Sequence, residues 1–513
     1  MWPAIFAACV LAAGARSIAL GQDANWDLKN YHWYNAWALL AGRLGWDLAP
    51  AQIQTYYNPV GDLPFYFLVN ALPWPRHVAF WMALPAAVAV FFLVRMLALL
   101  FPVANDRANA AWIAAALAIG ATGAMGQSLV GSTMNEWLSA AFLMGALWLA
   151  LRALLEGGSP RAFATAAFLA GCAVGLKLTY GVFGIAFLAA LLTFGTWRAR
   201  LERATIGAAM MAAGFLAFGG YWAWVLWREF GNPTFPYFNH WFHSPWWEQE
   251  AFFDRNWGPR SVAQWLFFPL YFSHRSTLVS EVGFRDYRLA ALLLLALAAA
   301  AKRLARGPGE PVALDPAWRF LAAFTLVAYL AWLKLFGIYR YLVPLEVLSG
   351  PLIVGLLLYL LRGAALRRAA TLGLALLLLG TTRPADWGHI AFGHDYFEGE
   401  PPALPARSLV ILGCVHPYAY EIPFFRHDAR FVSPANNFLM PGQSNLLARR
   451  IEETIRTHDG PLFLMEVRSR VAQDAATLAH FRLAYAEAPC QPVRSPMSDN
   501  FVQVCRLRRL SPA

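Results

Sequence analysis

Charge is scarce in this chain. Only 14% of its 513 residues are charged, against 59% that are hydrophobic. A soluble protein of this length needs more polar surface than that, so the balance excludes an ordinary soluble domain and indicates a polytopic membrane protein. Cysteine is scarce too. The five cysteines lie far apart, Cys9 and Cys172 in apolar runs and Cys414, Cys490 and Cys505 towards the C-terminus, with no CxxC spacing, which argues against a thiolate metal site. Internal repeats and low-complexity linkers are absent by eye. The formal net charge of +11 is spread singly and in short groups between apolar runs, a distribution that fits membrane topology and no nucleic-acid partner.

What is present is a series of apolar runs, most near the ~20 residues that cross a bilayer. They fall at 3–20, 77–101, 110–127, 134–155, 162–176, 179–194, 205–230, 287–301, 318–336, 341–361 and 369–380, about eleven spans, of which 162–176 and 369–380 are short. The run at 3–20 lacks a basic start and is interrupted by Arg16, so it reads as an uncleaved first span. With a cytoplasmic N-terminus, the inner loops hold Arg107; Arg152 and Arg161; Arg198, Arg200 and Arg203; Lys302, Arg303 and Arg306; Arg362, Arg367 and Arg368. Every inner loop is then basic, as the positive-inside rule requires. The expectation is a transmembrane module over 1–381 with outer loops at 21–76 and 231–286. A small extracytoplasmic α/β domain follows over 382–513, and the whole lies in a plasma (bacterial inner) membrane of the cell envelope.

Polar chemistry concentrates in the first outer loop. Residues 21–64 carry Asp23, Asp27, Asp47 and Asp62, His32, and many Asn, Tyr and Trp. At 100° per residue, Trp33, Ala36, Trp37, Leu40 and Leu44 form an apolar stripe, with Asp27, Tyr31, Tyr34 and Asn35 pointing away and Asn30 near the edge. This predicts a helix in the membrane interface with its aromatic edge in lipid. Asp27 is the first choice for a reactive carboxylate and Asp23 the second. The competing reading of Asp27 is a plain helix N-cap, and Asp47 and Asp62 read as turn caps near Pro50 and Pro64.

The second outer loop is aromatic and proline-punctuated, which predicts an ordered lid. His240 and His243, followed by Glu248 and Glu250, are weak candidates for a divalent cation, since their spacing lacks the HExxH pattern. Asp254 and Arg255 are weak candidates for contact with a donor phosphate. In the C-terminal region SLVILGCV and PLFLMEV read as strands, and NLLARRIEETIRTH and AATLAHFRLAYAEA as helices. Cys490 and Cys505 either pair or stay as two buried thiols.

Two basic positions stand out. Lys177 in GLKLTYG and Arg340 in KLFGIYRYLVPLE lie at junctions of spans on the outer side, with Lys334 near Arg340. Charges there are either functional or long side chains reaching for headgroups. A carboxylate can take the proton of an attacking hydroxyl, while a departing lipid phosphate needs cations more than a proton.

The order of these features resembles the GT-C class of polytopic glycosyltransferases, including protein mannosyltransferase and lipid A aminoarabinose transferase relatives. Arg340-Tyr341-Leu342-Val343-Pro344 resembles their RYLLP-like segment, GLKLTYG their lysine-bearing turn, and STMNEWLSAAFLMGALWLALR their acidic-residue span, with Glu136 where aspartate is more usual. The resemblance implies a GT-C-like helical fold and a hexosyl- or pentosyltransferase using a polyprenyl-phosphate sugar donor. It also implies a lipid, glycan or protein acceptor. Asp27, Asp23 and Glu136 would be the catalytic carboxylates, and Asn30, Tyr31, His32, Lys177, Thr179, Arg340 and Tyr341 would contact substrate. The family's Asp-Glu pattern in the first loop is replaced here by Asp23 and Asp27 with three residues between them. Alternatives are a transporter or flippase of lipid-linked sugars, and a polysaccharide polymerase or ligase using lipid-linked oligosaccharide.

Overall fold

The computed structural model describes residues 1–104, 106–250, 256–305, 315–497 and 501–510. Every run expected to span the membrane falls on a helix. Among the described residues seven helices are long and apolar enough to cross: Trp2–Leu20, Pro75–Leu100, Glu136–Leu155, Trp197–Phe230, Pro316–Leu335, Tyr339–Leu360 and Ala364–Thr381. Three shorter apolar helices, Asn109–Ala121, Pro160–Leu176 and Leu178–Leu191, account for further expected runs. The run at 287–301 forms Arg288–Ala305, whose ends carry Arg288, Lys302 and Arg303. The chain is a multi-pass helical membrane protein with a small sheet domain towards its C-terminus.

The chain divides into two compact units. One comprises Met1–Ala19, Met82–Gly220 and Phe253–Trp387; the other comprises Leu20–Trp81, Tyr221–Phe252 and Gly388–Ala513.

The first unit is a helical bundle. In lipid, helices gain little from hydrophobicity and associate through close backbone packing at small residues. The pair Pro160–Leu176 and Trp197–Phe215 shows this. A Cβ at Gly171 would overlap the Met211 carbonyl, and one at Gly214 the Phe168 carbonyl. Gly350 meets the Ala116 carbonyl in the same way, bringing Val343–Leu360 against Asn109–Ala121.

The second unit is built on a six-stranded sheet. A short antiparallel pair joins β1 (Gln22–Asp23) to β2 (His389–Ile390). The main sheet contains β3 (Leu409–Leu412), β4 (Arg430–Val432), β5 (Leu462–Val467), β6 (Leu483–Tyr485), β7 (Gln491–Val493) and β8 (Val502–Arg509). Its order is β4-β3-β5-β8-β6, with β7 also on β8; β3 runs parallel to β4 and β5, and β8 antiparallel to its neighbours. β3 and β5 are buried along their whole length, as strands covered on both faces must be. Leu409 and Ile411 join a core with Tyr56, Trp222, Phe235 and Ile451. Val410 and Leu412, on the opposite face by the two-residue period, join one with Tyr31, Tyr34, Tyr418 and Phe431. Residues of the 21–64 stretch therefore contribute to both cores.

That burial corrects the interfacial-helix expectation for part of its stripe. Trp33 and Ala36 of the helix Trp33–Leu40 are buried, and Trp33 packs on Phe397 with ring centroids 4.4 Å apart, whereas Leu40 is 53% exposed. The phasing also failed upstream, because Leu28–His32 is a π-helical turn with more residues per turn than the α period assumes. In the C-terminal region β3, β5 and the helix Leu446–Thr457 lie where expected, with Asn445 Oδ1 accepting from the Ala448 N–H at 2.9 Å as cap. The expected helix AATLAHFRLAYAEA ends at His480, and Leu483–Tyr485 is instead β6. Cys490 and Cys505 form a disulfide. The first part of the second loop is ordered, with Phe235 and Trp247 in the core; Asp254 and Arg255 lie outside the described residues.

Candidate active site

In the helical unit, four of the expected residues come together. Glu136 opens the helix Glu136–Leu155 and its side chain is fully buried. Lys177 lies at the break between two helices, where its extended backbone ends Pro160–Leu176 before the 3₁₀ turn Leu178–Tyr180. Its ammonium donates to Glu136 Oε1 and to the Met134 carbonyl, the latter at 2.9 Å. Arg340, in the turn Tyr339–Leu342 that leads into the next helix, brings Nε to 3.8 Å from the same Glu136 oxygen. Tyr341 lies beneath both cations, its ring centroid 5.4 Å from Lys177 Nζ and 5.5 Å from Arg340 Cζ. Trp387 faces the Arg340 guanidinium at 5.6 Å. These are cation–π distances. Tyr180 donates to the Glu136 carbonyl at 2.7 Å, and Thr179 Oγ1 is buried without a hydrogen-bond partner among the described residues. Both cationic side chains keep some exposure, 17% for Lys177 and 15% for Arg340.

A second buried charge cluster supports this one. Arg288, fully buried, donates to Asp286 Oδ1 at 2.7 Å and to the carbonyls of Ile119 and Thr122 at 2.6 and 2.9 Å. Asp286 Oδ2 accepts the Ala124 N–H at 2.8 Å, and Glu346 accepts those of Met125 and Gly126 at 3.1 and 2.7 Å. The carboxylates thus satisfy the amide groups that open the short helix Ala124–Ser128, where negative charge is favoured. Gly126 in turn accepts from the Trp137 indole at 2.9 Å, and Ser128 from the Trp387 indole at 3.2 Å. The segment delivering Met134 and Glu136 is fixed from below. Glu346, a carboxylate inside an apolar run, is itself the sequence signal for this cluster.

The first-loop candidates lie in the second unit. Asp23 is buried and its Oδ1 accepts from the Asn25 side chain at 2.6 Å and backbone at 3.2 Å. Asn25 Oδ1 then accepts the Leu28 N–H at 2.8 Å. Asn25 is therefore the cap of this turn. Asp27, with helical φ/ψ of −66° and −39°, makes no capping bond, which disposes of the capping reading. Asn30 is fully buried and bonds Ala51, Gln52 and Gln54, which gives it a structural task. Tyr31 lies against His32, with centroids 4.0 Å apart. His32 Nδ1 is 2.6 Å from Asp62 Oδ1, with both side chains 2% exposed, and its Nε2 is buried with no hydrogen-bond partner among the described residues. Asp62 is thus a histidine partner, and in place of the expected cap it precedes the helix Leu63–Ala71 without a side-chain capping bond.

Asp47 is the anchor of an ion pair. Arg43 donates to both its oxygens at 2.8 Å, Tyr34 OH donates at 2.9 Å and the Phe431 N–H at 2.9 Å. Burial raises the Asp47 carboxyl despite the opposing pull of Arg43. Burial and then Asp47 push the Tyr34 hydroxyl well above its ordinary value. Among the described residues His240 and His243 join no group of three metal-ligating side chains. His243 Nδ1 is 3.3 Å from Gln249, and Glu248 accepts from Asn445 at 3.1 Å. The group that does form, Glu466 with Cys490 and Cys505, has both thiols in the disulfide, so it offers no thiolate.

The chain has a GT-C-like fold. Two crystal structures of ArnT from Cupriavidus metallidurans, one in the apo state and one bound to undecaprenyl phosphate, match 98% of this chain. They are covered over 97% and 98% of their own length, each at a TM-score of 0.51 and 12% identity. No family model matches the chain, and no curated protein matches it in sequence.

Proposed function

We propose that this protein is an integral membrane glycosyltransferase that moves a sugar from a polyprenyl-phosphate donor to an extracytoplasmic acceptor. The observation that carries the reading is the convergence of Lys177 and Arg340 on Glu136 above the Tyr341 ring. Two cations preorganised at the ends of membrane helices suit a leaving lipid phosphate, whose developing charge they stabilise without giving up a proton. The shared fold supports it by analogy, one of the matching ArnT structures having undecaprenyl phosphate bound.

In this reading the acceptor hydroxyl attacks the anomeric carbon as its bond to the phosphate oxygen breaks, with inversion at that carbon. Asp27 takes the hydroxyl proton, and the polyprenyl phosphate leaves as an anion held by Lys177 and Arg340. Glu136 positions Lys177, and Thr179 Oγ1 is available to the phosphate. Asp23, whose Oδ1 is engaged by Asn25, is the second choice for the base. The test is transfer from a labelled polyprenyl-phosphate sugar by purified Asp27→Asn and Asp23→Asn variants. Loss of turnover in Asp27→Asn with donor binding retained is the expected result. Full activity in both variants would remove the carboxylate base.

A further inference from the structure

A cavity of about 750 Å³ lies within the second unit, and neither Asp23 nor Asp27 lines it. Its walls divide by chemistry. Trp33, Tyr396, Phe397 and Phe424 supply aromatic surface, packed through centroid distances of 4.4 Å for Trp33 with Phe397 and 5.1 Å for Tyr396 with Phe397. Asp395, Glu398 and Glu400 supply carboxylates, and among the described residues no lysine or arginine lines it. The acidic turn is built. Glu398 Oε1 accepts the N–H groups of His394 and Asp395 at 2.7 and 3.1 Å, and the Glu400 N–H donates to the Arg494 carbonyl at 2.9 Å. Leu72 and Val78 form an apolar side. The Trp33 indole N–H is buried and meets no acceptor among the described residues.

Aromatic faces with carboxylates at their edge are complementary to sugars, whose C–H faces stack on rings and whose hydroxyls donate to carboxylates. Three carboxylates set against one histidine, His394, whose Nδ1 lies 3.4 Å from Asp395 Oδ1, disfavour a phosphate, so the phosphate-bearing donor does not fit here. The apolar side belongs to a membrane element: Val78 lies in the first turns of Pro75–Leu100, a helix long and apolar enough to cross. Trp74 and Trp81 beside it are exposed, as aromatic residues are at a bilayer interface. We infer that this cavity binds the acceptor, and that the acceptor is a glycolipid presenting a phosphate-free, hydroxyl-bearing sugar. The inference rests on the transferase reading for the word acceptor, and on the cavity alone for the class of ligand.

The experiment measures binding of dodecyl maltoside and of dodecyl phosphate to the full chain in phosphatidylcholine nanodiscs, by native mass spectrometry. Leu72→Trp, which fills the cavity, and the pair Asp395→Asn with Glu400→Gln, which removes charge while leaving the backbone bridge, are compared with wild type. The carboxylate pair should weaken maltoside binding at least about tenfold, the loss of one hydrogen bond to a charged group, and Leu72→Trp should weaken it by occupying the space the sugar needs. Dodecyl phosphate binding should be unchanged, while sugar transfer from a polyprenyl-phosphate donor to a maltoside acceptor should fall in step with maltoside affinity. Unaltered maltoside affinity in both variants, or competition between the two amphiphiles, would overturn the assignment. If wild type releases no sugar from the donor, the transferase reading fails; maltoside binding that these variants weaken would then still assign the ligand class.

Discussion

Lys177→Met separates a phosphate ligand from a mere counter-ion. The Glu136 side chain is fully buried, so removing its nearest cation leaves a charge in low dielectric, a loss of about 3–5 kcal/mol. Arg340 Nε, 3.8 Å from the same oxygen, retains part of the attraction, which puts the expected destabilisation at the low end, about 3 kcal/mol. The double variant Lys177→Met with Glu136→Gln removes the stranded charge and should recover most of that stability in thermal unfolding. Donor binding should behave differently. A charge-assisted bond to phosphate is worth about 1.5–3 kcal/mol, so both variants should bind polyprenyl phosphate roughly ten- to hundredfold more weakly. Recovery of donor affinity in the double variant to within about threefold of wild type would refute the reasoning, since Lys177 would then serve Glu136 alone.

Three further outcomes are expected. Asp47→Asn strands the buried Arg43 and should cost about 3–5 kcal/mol, seen as faster amide exchange across β4, to which this pair is tied. Burial pushes the Glu421 carboxyl up to about 7 from its ordinary 4.5, so the folded state holds a proton that the unfolded chain releases. The stability from this group is complete below about pH 4.5 and is lost as pH rises through about 7, and Glu421→Gln should flatten that slope in unfolding measured across the range. Replacing both cysteines of the Cys490–Cys505 disulfide, which are 15 residues apart, with serine should cost about 3 kcal/mol, read from denaturant unfolding of the full chain with and without reductant.

The helical part was legible because lipid imposes long apolar runs, and each run falls on a helix. Lys177 and Arg340 were legible for the same reason, as charges that interrupt such runs. The cluster of Asp286, Arg288 and Glu346 was harder to see: its contacts join Ile119, Ala124, Gly126 and Thr382, and no local spacing encodes that meeting. The 21–64 stretch misled for a physical reason. An amphipathic pattern reports that one face is apolar and leaves open whether lipid or protein covers it, and here Trp33 and Ala36 of that face are buried in the second unit. Asp27 kept its candidacy because Asn25, two residues earlier, takes the capping role. The β6 strand was misread because LAY follows a helix-period stretch without a proline or glycine to mark the change.

The most direct test of the central claim is sugar release by the purified protein in sealed liposomes carrying a labelled polyprenyl-phosphate sugar. The expected result is free polyprenyl phosphate appearing with the sugar on acceptor or water, lost in Asp27→Asn and strongly reduced in Arg340→Ala. Movement of the intact donor across the bilayer with its sugar–phosphate bond unbroken would contradict the claim and make the protein a transporter.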